Sequence, residues 1–362
     1  MSRGYNALGD VIKKTVDGRD LNNLWDEFQQ TIALRNAQRD AIMNLFTFPT
    51  TLAADEVLQG QTGDDFEEAS EYGEPKSFRA PSTTLKMGFG FKWYDAATRF
   101  TWKYLAEASA SQIESVHSAA LDADNRLVWR LVMNGLLTKT SIATRPVNED
   151  GVPIFALYDG DTDATPPDFA GQSFAAGHQH YLTSGATVID GTDLKDVIKH
   201  VTHHGFGIGD GSRVIILCHP TEADTIRGLR VTGGAPFDFI ASSDAPAYLT
   251  TLHVVGQQPP TELHGLKIIG SYGNALVVED FFVPEGYVVA VATGGPGSAL
   301  NPLGWREHKR PEFRGLRQIG GNSKDYPLVD AFYSRAGGVG VRQRGAAAVM
   351  QVTAGSYESP NL

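Results

Sequence analysis

The chain has 362 residues, of which 41% are hydrophobic and 20% are charged, and its formal net charge is −11. This composition is that of a folded protein large enough for a buried core, and it excludes a collagen-like or wholly disordered chain. The negative charge also argues against a general nucleic-acid-binding protein, because affinity for phosphate backbones comes mainly from clustered Lys and Arg.

The cysteine content and the lengths of the apolar runs indicate the compartment in which the chain assembles and whether it crosses a membrane. The single cysteine, Cys218, cannot form an intrachain disulfide, and no signal-peptide pattern stands at the N-terminus. We therefore expect assembly in a reducing cytoplasm. The longest apolar runs, such as Val214 to Cys218, fall far short of the roughly 20 residues that a membrane span needs, so no membrane contact is expected.

The first periodic segment covers residues 20–46. Leu21, Leu24, Trp25 and Phe28 have helical spacing, and the pattern continues to Leu45, which predicts one helix or two. Many other positions are polar. The apolar stripe could therefore pack on its own domain or lie on a neighbouring copy.

An acidic segment follows this helical region. Between Asp55 and Glu74 there are eight acidic residues and no Lys or Arg, which predicts a loop with one short strand around residues 66–72. From Leu85 to Trp93, large apolar residues then alternate with polar or small ones, as in a strand with one apolar face. Residues 66–93 are therefore predicted to form a long two-stranded loop.

A run without Gly or Pro extends from Phe91 to Asn134. Apolar residues recur in it at spacings of three and four, which predicts a long helix over about residues 101–137, with Gly135 at its C-terminus. Such a helix is roughly 50 Å long at ~1.5 Å per residue, which exceeds what a small core can cover.

The rest of the chain predicts irregular β structure over residues 141–181 and then a mixed α+β module. Asp190 or Thr192 is expected to cap a helix that Gly205 closes, and Pro220 suits the first turn of another helix. The predicted strands are Val214–Leu217, Leu266–Ile269, Ala275–Val278, Tyr287–Ala292 and a final pair over residues 339–352 that turns at Gly345.

Two motifs superficially resemble ligand-binding loops. The glycines of residues 205–211 end a helix and precede a strand, the reverse of a dinucleotide-binding loop, so a flexible turn is predicted there. Asp159, Asp161 and Asp163 have the spacing that opens a calcium-binding EF-hand loop, but Ala164 replaces the required glycine. A surface turn with solvated acids is the preferred interpretation.

The histidines are the remaining candidates for a metal site. His200, His203 and His204 lie on the predicted helix, and His178 and His180 could add ligands from elsewhere. The preferred interpretation is that the helix-end histidines interact with the C-terminal carbonyls. Cys218, at the end of an apolar strand, is expected to be an inert hydrophobic residue. The sequence predicts no catalytic residue, no cofactor and no metal ligand.

Charge is segregated along the chain. Bases gather late, at Arg306, Arg310, Arg314 and Arg317, whereas acids gather early, at Asp64, Asp65, Glu67 and Glu68. Single surface pairs contribute little to stability, but summed charge steers association. These eight residues are therefore the candidates for contacts between subunits.

The order of the predicted elements resembles the major capsid proteins of tailed phages, the Hong Kong ninety-seven capsid fold. The most similar pieces are VIILCHPTEADTIRGL, HGLKIIGSYGNALVVEDFFVPEGYVVAVA and the closing FYSRAGGVGVRQRGAAAVMQVTA. The resemblance implies an N-terminal arm (1–55), an extended loop (56–96), a peripheral domain with spine helix and β region (97–185), an axial domain (186–328), and C-terminal strands that return to the peripheral domain (329–362).

The resemblance implies a function as well as a fold. Hexamers and pentamers of the chain would form the icosahedral shell around the double-stranded DNA of a tailed phage, located in the virion and assembled in the host cytoplasm. Expected partners are further copies of the chain, a scaffolding protein, a portal, decoration proteins and, weakly, packaged DNA. The alternatives are an encapsulin-type compartment and a metal-dependent enzyme that uses the histidines or the aspartate turn.

Overall fold

A computed structural model describes residues 14–38, 41–58, 66–69, 71–74, 84–162, 165–209, 211–243, 258–320 and 328–362. The helices are α1 (Leu21–Gln38), α2 (Ala41–Phe46), α3 (Trp102–Glu107), α4 (Ala110–Leu137), α5 (Gly191–Thr202) and α6 (Pro220–Arg227). Within these ranges, no helix combines the length and apolarity that crossing a membrane would need.

The strands are short except for one. They are β1 (Thr47–Thr50), β2 (Ala54–Leu58), β3 (Thr84–Gly88), β4 (Lys92–Thr101), β5 (Tyr181–Thr183), β6 (Arg213–Cys218), β7 (Phe239–Ala241), β8 (Glu262–Leu263), β9 (Leu266–Lys267), β10 (Gly270–Tyr272), β11 (Ala275–Glu279), β12 (Tyr287–Thr293), β13 (Leu303–Arg306), β14 (Leu316–Gly320), β15 (Leu328–Val341) and β16 (Ala347–Gln351).

The chain divides into two compact units, each built from three separate segments. The first unit comprises residues 1–40, 92–128 and 307–337, and the second comprises residues 41–91, 129–306 and 338–362. The units therefore cut across the five consecutive ranges that the sequence suggested. Helix α4 and strand β15 each contribute residues to both units.

The second unit is centred on a seven-stranded mixed sheet in the order β5-β16-β12-β6-β11-β10-β7. Strand β12 pairs antiparallel with both β16 and β6, whereas β11 is parallel to β6 and β5 is parallel to β16. All seven residues of β12 are buried. Burial on both faces explains why its sequence is a continuous apolar run rather than an alternating one.

Alternate residues of the central strands enter two separate cores, because successive side chains of a strand point to opposite faces. Ile215, Leu217 and Val289 face α2 and the last turns of α4. Val214, Ile216 and Val288 face α5 and α6 instead. The sheet is thus covered by helices on both sides, and the predicted α+β class is confirmed.

Helices α5 and α6 begin as their sequences predict. Asp190 accepts hydrogen bonds from the backbone N–H groups of Thr192 and Asp193, and the Asp193 side chain accepts one from the N–H of Asp190, a reciprocal capping box. Pro220 occupies the first position of α6, where its missing N–H costs nothing.

The first unit packs α1 and α4 against β4, β14 and residues 328–337 of β15, which pair antiparallel with β4. Leu24 and Ile32 on α1 are buried at 1% and 4% exposure. The apolar stripe of α1 therefore packs on its own subunit, which decides between the two alternatives that the sequence left open. Asp17 accepts hydrogen bonds from the N–H of Ala110 at the start of α4.

The predicted two-stranded loop differs from the structure. Residues 85–93 form two strands, β3 and β4, separated by residues 89–91. At this break the N–H of Gly88 donates to Pro153 and that of Phe89 to Ala53, so tertiary hydrogen bonds interrupt the strand. The partner of β3 is β2 rather than residues 66–72, of which the described members form no strand.

Two further predictions are also wrong, one about the end of a helix and one about the pairing of two strands. Gly135 lies inside α4, which begins at Ala110 and ends at Leu137. A Cβ there would lie 3.2 Å from the Leu303 side chain, so this glycine allows close packing rather than ending the helix. The final strands β15 and β16 do not pair with each other, because β16 joins β12 and β5 while β15 pairs with β4, β13 and β14.

Candidate assembly surface and histidine cluster

The acidic candidates for contacts between subunits lie in a segment of which the structure describes only some residues. Asp64 and Asp65 fall outside the described residues, whereas Glu67 and Glu68 are exposed. Phe66 and Tyr72 in the same segment are 94% and 93% exposed. The described part of this segment therefore presents both aromatic and acidic side chains to solvent.

Arg306 differs from the other predicted bases because it is buried. It is 8% exposed, forms an ion pair with Glu149, and donates to the Phe89 carbonyl oxygen at 3.1 Å. Its guanidinium also lies over the Phe91 ring at 5.2 Å. These contacts engage Arg306 within its own subunit and leave little of its side chain accessible.

Arg310, Arg314 and Arg317 surround Phe313 and form a surface that we call the Phe313 patch. Arg310 and Arg317 lie over the Phe313 ring at 4.9 and 4.8 Å. Arg314 donates to the backbone carbonyls of His308 and Lys309, both at 2.9 Å. Trp93 packs edge-on against Phe313 and is still 49% exposed. The patch presents cationic and aromatic groups together.

Helix α1 holds the strand beside this patch. The Asn36 side chain donates to the Leu316 carbonyl at 2.8 Å and accepts from the Leu316 N–H at 2.9 Å. Gly315 has φ of +76°, and a Cβ there would lie 2.5 Å from the Asn36 side chain. Only glycine therefore allows this double hydrogen bond, which fixes where the chain leaves the patch.

Each unit contains a buried ion cluster that the sequence did not predict. In the first unit, both oxygens of Asp124 accept from the Arg335 guanidinium, and Arg35 lies 3.5 Å away. In the second unit, Asp159 pairs with Arg344 at 2.9 Å and Arg145 at 3.3 Å. The predicted solvated aspartate turn is therefore wrong for Asp159, although Asp161 is partly exposed and Asp163 lies outside the described residues.

The glycine segment and the cysteine match their predictions. Gly205, Gly207, Gly209 and Gly211 all have positive φ, which suits the predicted turn between helix and strand. Cys218 is buried, and burial raises the pKa of its thiol far above the ordinary value. The protonated thiol is a poor nucleophile, as expected for an inert residue.

Four of the histidines form a cluster between the segment before β5 and the end of α5. The Nε2 atoms of His178, His180 and His204 lie 3.0–3.1 Å from one another. One ring nitrogen from each of these residues and from His203 lies within 4.8 Å of the others. Phe174 packs against His178, His203 and His204, and Tyr158 packs against His180 and His204.

Burial keeps these histidines neutral. Burial lowers the pKa of His178 and of His203 to about 4 and that of His204 to about 2, with further lowering from the neighbouring imidazoles. The pKa of His180 is held well below its usual range for the same reason. The predicted interaction of the helix-end histidines with the C-terminal carbonyls is wrong. The Nδ1 of His200 donates at 2.8 Å to the carbonyl of Asp196, which lies inside α5, and His203 and His204 belong to the cluster.

A further histidine, His117, is buried and links α1, α4 and β15 in the first unit. Its ring stacks on Phe28 with centroids 4.0 Å apart, and its Nδ1 lies 3.0 Å from the Tyr333 hydroxyl. Burial lowers its pKa below the ordinary 6.5. Two charged groups on α4 and β15, Glu114 and Arg335, are engaged with Arg19 and Asp124.

Acid should therefore weaken the first unit. Between pH 6.5 and the lower pKa of folded His117, the unfolded chain binds more protons at this histidine than the folded chain does. The contribution of neutral His117 to the free energy of unfolding is therefore full above pH 6.5 and is lost as the pH falls. We expect H117F, which keeps the ring stacking, to lose less unfolding free energy between about pH 7 and 5 than the wild type. Urea titrations of the unassembled chain measure this, and H264N, at an exposed histidine, should behave as wild type. Equal pH dependence of H117F and wild type would contradict the assignment.

Solved structures with similar folds were found, whereas no family profile and no curated protein matches the sequence. The capsid asymmetric unit of cyanophage A-1(L) has a TM-score of 0.51 at 12% identity, covering 87% of this chain and 92% of that one. A SrpI encapsulin of Synechococcus elongatus is more distant, with a TM-score of 0.45 at 12% identity over 88% and 89% of the two chains. The cyanophage match shows that the chain shares the fold of a capsid protein.

A structure from Mycobacterium phage Patience is considerably more similar. It has 38% identity and a TM-score of 0.70, and the match covers 99% of this chain and 96% of that one. The chain belongs to the major capsid proteins of tailed phages, with the Hong Kong ninety-seven fold. Its role is structural, as a subunit that associates with copies of itself in the shell of a virion.

Proposed function

We propose that the chain forms hexamers and pentamers that close into an icosahedral shell around double-stranded DNA. The observation that carries this proposal is the 38% identity to the Patience structure over nearly the full length of both chains. Electron microscopy of the chain expressed with its scaffolding protein tests it. Closed particles tens of nanometres across are expected, and monomer alone in every buffer would contradict the proposal.

The family anatomy is part of the same proposal. Residues 1–55 are the N-terminal arm, 56–96 the extended loop, 97–185 the peripheral domain, 186–328 the axial domain, and 329–362 the returning strands. Helix α4 supports the assignment of a spine, since it is the longest helix among the described residues at 28 residues. A scaffolding protein, a portal and decoration proteins are the proposed partners. The net charge of −11 favours only weak contact with packaged DNA, and the free Cys218 suits assembly in the host cytoplasm.

We further propose that the acidic segment from Asp64 to Glu74 binds the Phe313 patch of a neighbouring subunit. The exposed aromatic residues Phe66 and Tyr72 of the acidic segment match the aromatic groups of the patch, and the charges are opposite. Opposite charges steer the encounter, while aromatic contact supplies buried apolar area. Arg306 takes no part, because it is paired inside its own subunit.

Charge reversal tests this contact. We expect the variant D64K/D65K/E67K/E68K to assemble at a yield reduced by about tenfold or more, since a loss of about 1.4 kcal/mol at each contact corresponds to a tenfold change in binding. Light scattering of assembly at several salt concentrations measures the yield, which should rise with salt in this variant, because salt screens the repulsion between the new lysines and the arginines of the patch.

The matched control reverses four exposed acids elsewhere on the chain, namely Asp26, Asp122, Asp150 and Asp168. This control should assemble better than D64K/D65K/E67K/E68K, which we call the loop variant. Reversing Arg310, Arg314 and Arg317 to Glu in the loop variant should restore assembly in part. Wild-type yield and wild-type salt dependence of the loop variant would refute the contact.

A further inference from the structure

The three imidazole nitrogens that converge in the histidine cluster cannot satisfy one another. The Nδ1 of His180 lies 2.6 Å from the Ala347 carbonyl oxygen, which only accepts, so this nitrogen carries the proton. In a neutral ring the Nε2 of His180 then presents a lone pair. That lone pair points at the Nε2 atoms of His178 and His204, at 3.1 and 3.0 Å.

No arrangement of protons makes all three contacts favourable. If His178 and His204 both carry Nε2 protons, those two protons meet across 3.1 Å. If only one of them carries a proton, two lone pairs face each other, and if neither does, three lone pairs converge. Since each hydrogen bond needs one donor and one acceptor, a triangle of neutral nitrogens always contains an unfavourable pair. Extra protons do not remove the conflict, because each Nε2 atom is still either a donor or an acceptor and two of the three must therefore be alike.

A cation that accepts all the lone pairs resolves this conflict. Nitrogen ligands at 2.0–2.1 Å around a tetrahedral ion lie about 3.3 Å apart, close to the 3.0–3.1 Å observed between the three Nε2 atoms. His203 supplies a fourth nitrogen within 4.8 Å of the others, and its Nε2 is buried without a hydrogen-bond partner. Carboxylates and thiolates are absent from this group of ligands.

We propose that His178, His180, His203 and His204 form a binding site for one divalent transition-metal ion of the Zn²⁺ class. Imidazole ligands suit Zn²⁺, Co²⁺, Ni²⁺ and Cu²⁺, whereas Mg²⁺ and Ca²⁺ require oxygen ligands. The hydrogen bond from His180 to Ala347 orients its ring, as the outer partners of zinc-bound histidines commonly do. Four protein ligands make a closed site, which is structural rather than catalytic.

The surroundings favour bound metal over open water. Phe174 lies 4.2 Å from the His204 ring, and Tyr158 lies 5.3 Å from the His180 ring, so aromatic side chains cover the cluster. Gly345 passes so close that a Cβ there would lie 3.0 Å from His204. The ion would join two pieces of the second unit, namely the segment before β5 and the end of α5, and the hydrogen bond from His180 to Ala347 would link it to the start of β16. The proposal is independent of how subunits assemble.

Metal titration of the full-length unassembled chain tests the site. After treatment with a chelator, calorimetric titration should show one Zn²⁺ bound per chain and a higher Tm with the ion than without it. Co²⁺ should give the intense visible absorption of a tetrahedral complex. Zn²⁺ should also protect His178 and His204 from carbethoxylation by diethyl pyrocarbonate, measured by mass spectrometry. This last measurement needs no variant and is independent of any change in folding.

Variants locate the ion. The double variant H178N/H204N should bind Zn²⁺ more than about 100-fold more weakly, since the loss of outer partners alone costs about 10–100-fold. The control H264N, at an exposed histidine outside the cluster, should bind as wild type. Failure of the wild-type chain to bind Zn²⁺ would overturn the proposal. So would binding that leaves His178 and His204 unprotected, or that persists unchanged in the double variant.

Discussion

Replacing Asp124 by Asn is expected to lower the free energy of unfolding by about 3–5 kcal/mol, because the change leaves a buried arginine without its counter-charge. The Asp124 and Arg335 side chains are only 3% and 8% exposed, and the guanidinium donates to both carboxylate oxygens. Arg35 loses part of its partner as well. Urea denaturation of the unassembled chain, followed by tryptophan fluorescence, measures the difference.

The matched control is D122N, an exposed acid on the same helix two residues away, which should change stability by less than about 0.5 kcal/mol. The double variant D124L/R335M removes both charges and should be more stable than D124N, because no buried charge then lacks a partner. Equal stability of D124N and D122N would show that this ion pair contributes nothing.

Replacing Asp159 by Asn, in the second unit, is expected to lower the free energy of unfolding by a similar amount, roughly 3–5 kcal/mol. The side chains of Asp159, Arg344 and Arg145 are 1%, 2% and 4% exposed. Arg145 keeps Asp161 at 3.0 Å, whereas Arg344 keeps neutral partners, namely the carbonyl oxygens of Ala156 and Leu157 and the rings of Phe155 and Tyr158. A guanidinium held by neutral acceptors alone is poorly compensated in so buried a place.

The control for D159N is D168N, which changes an exposed acid nearby in the sequence. It should leave the midpoint of denaturation unchanged. D159N should lower that midpoint and the yield of assembled particles together. If D159N lowered the particle yield at unchanged subunit stability, Asp159 would act between subunits and not within one.

The elements that could be predicted from the sequence are those with local causes. The cap at Asp190, the proline at the start of α6 and the apolar run of β12 each depend on residues close together in the chain. The alternation from Leu85 to Trp93 is also a correct strand signal. Its interruption at Phe89 could not be foreseen, because the hydrogen bonds responsible lead to Ala53 and Pro153.

The buried charges and the histidine cluster could not be predicted from the sequence either, because the residues that form them are far apart in the chain. A sequence rule places acids at the surface, yet Asp124 and Asp159 are inside because arginines more than 180 residues away meet them. The pair of His178 and His180 meets His203 and His204 only because β5, β16 and α5 adjoin. The two pairs were visible in the sequence as candidates, but spacing alone could not bring them together.

The position of β16 has a consequence for synthesis. This strand, at residues 347–351, lies between β12 and β5 in the seven-stranded sheet, so the sheet cannot form fully until the ribosome has added residue 351. A polypeptide that stops before Ala347 leaves β12 with an unpaired apolar edge, which invites aggregation. Chains that stop before this strand would therefore be removed by proteolysis or precipitation instead of entering a shell.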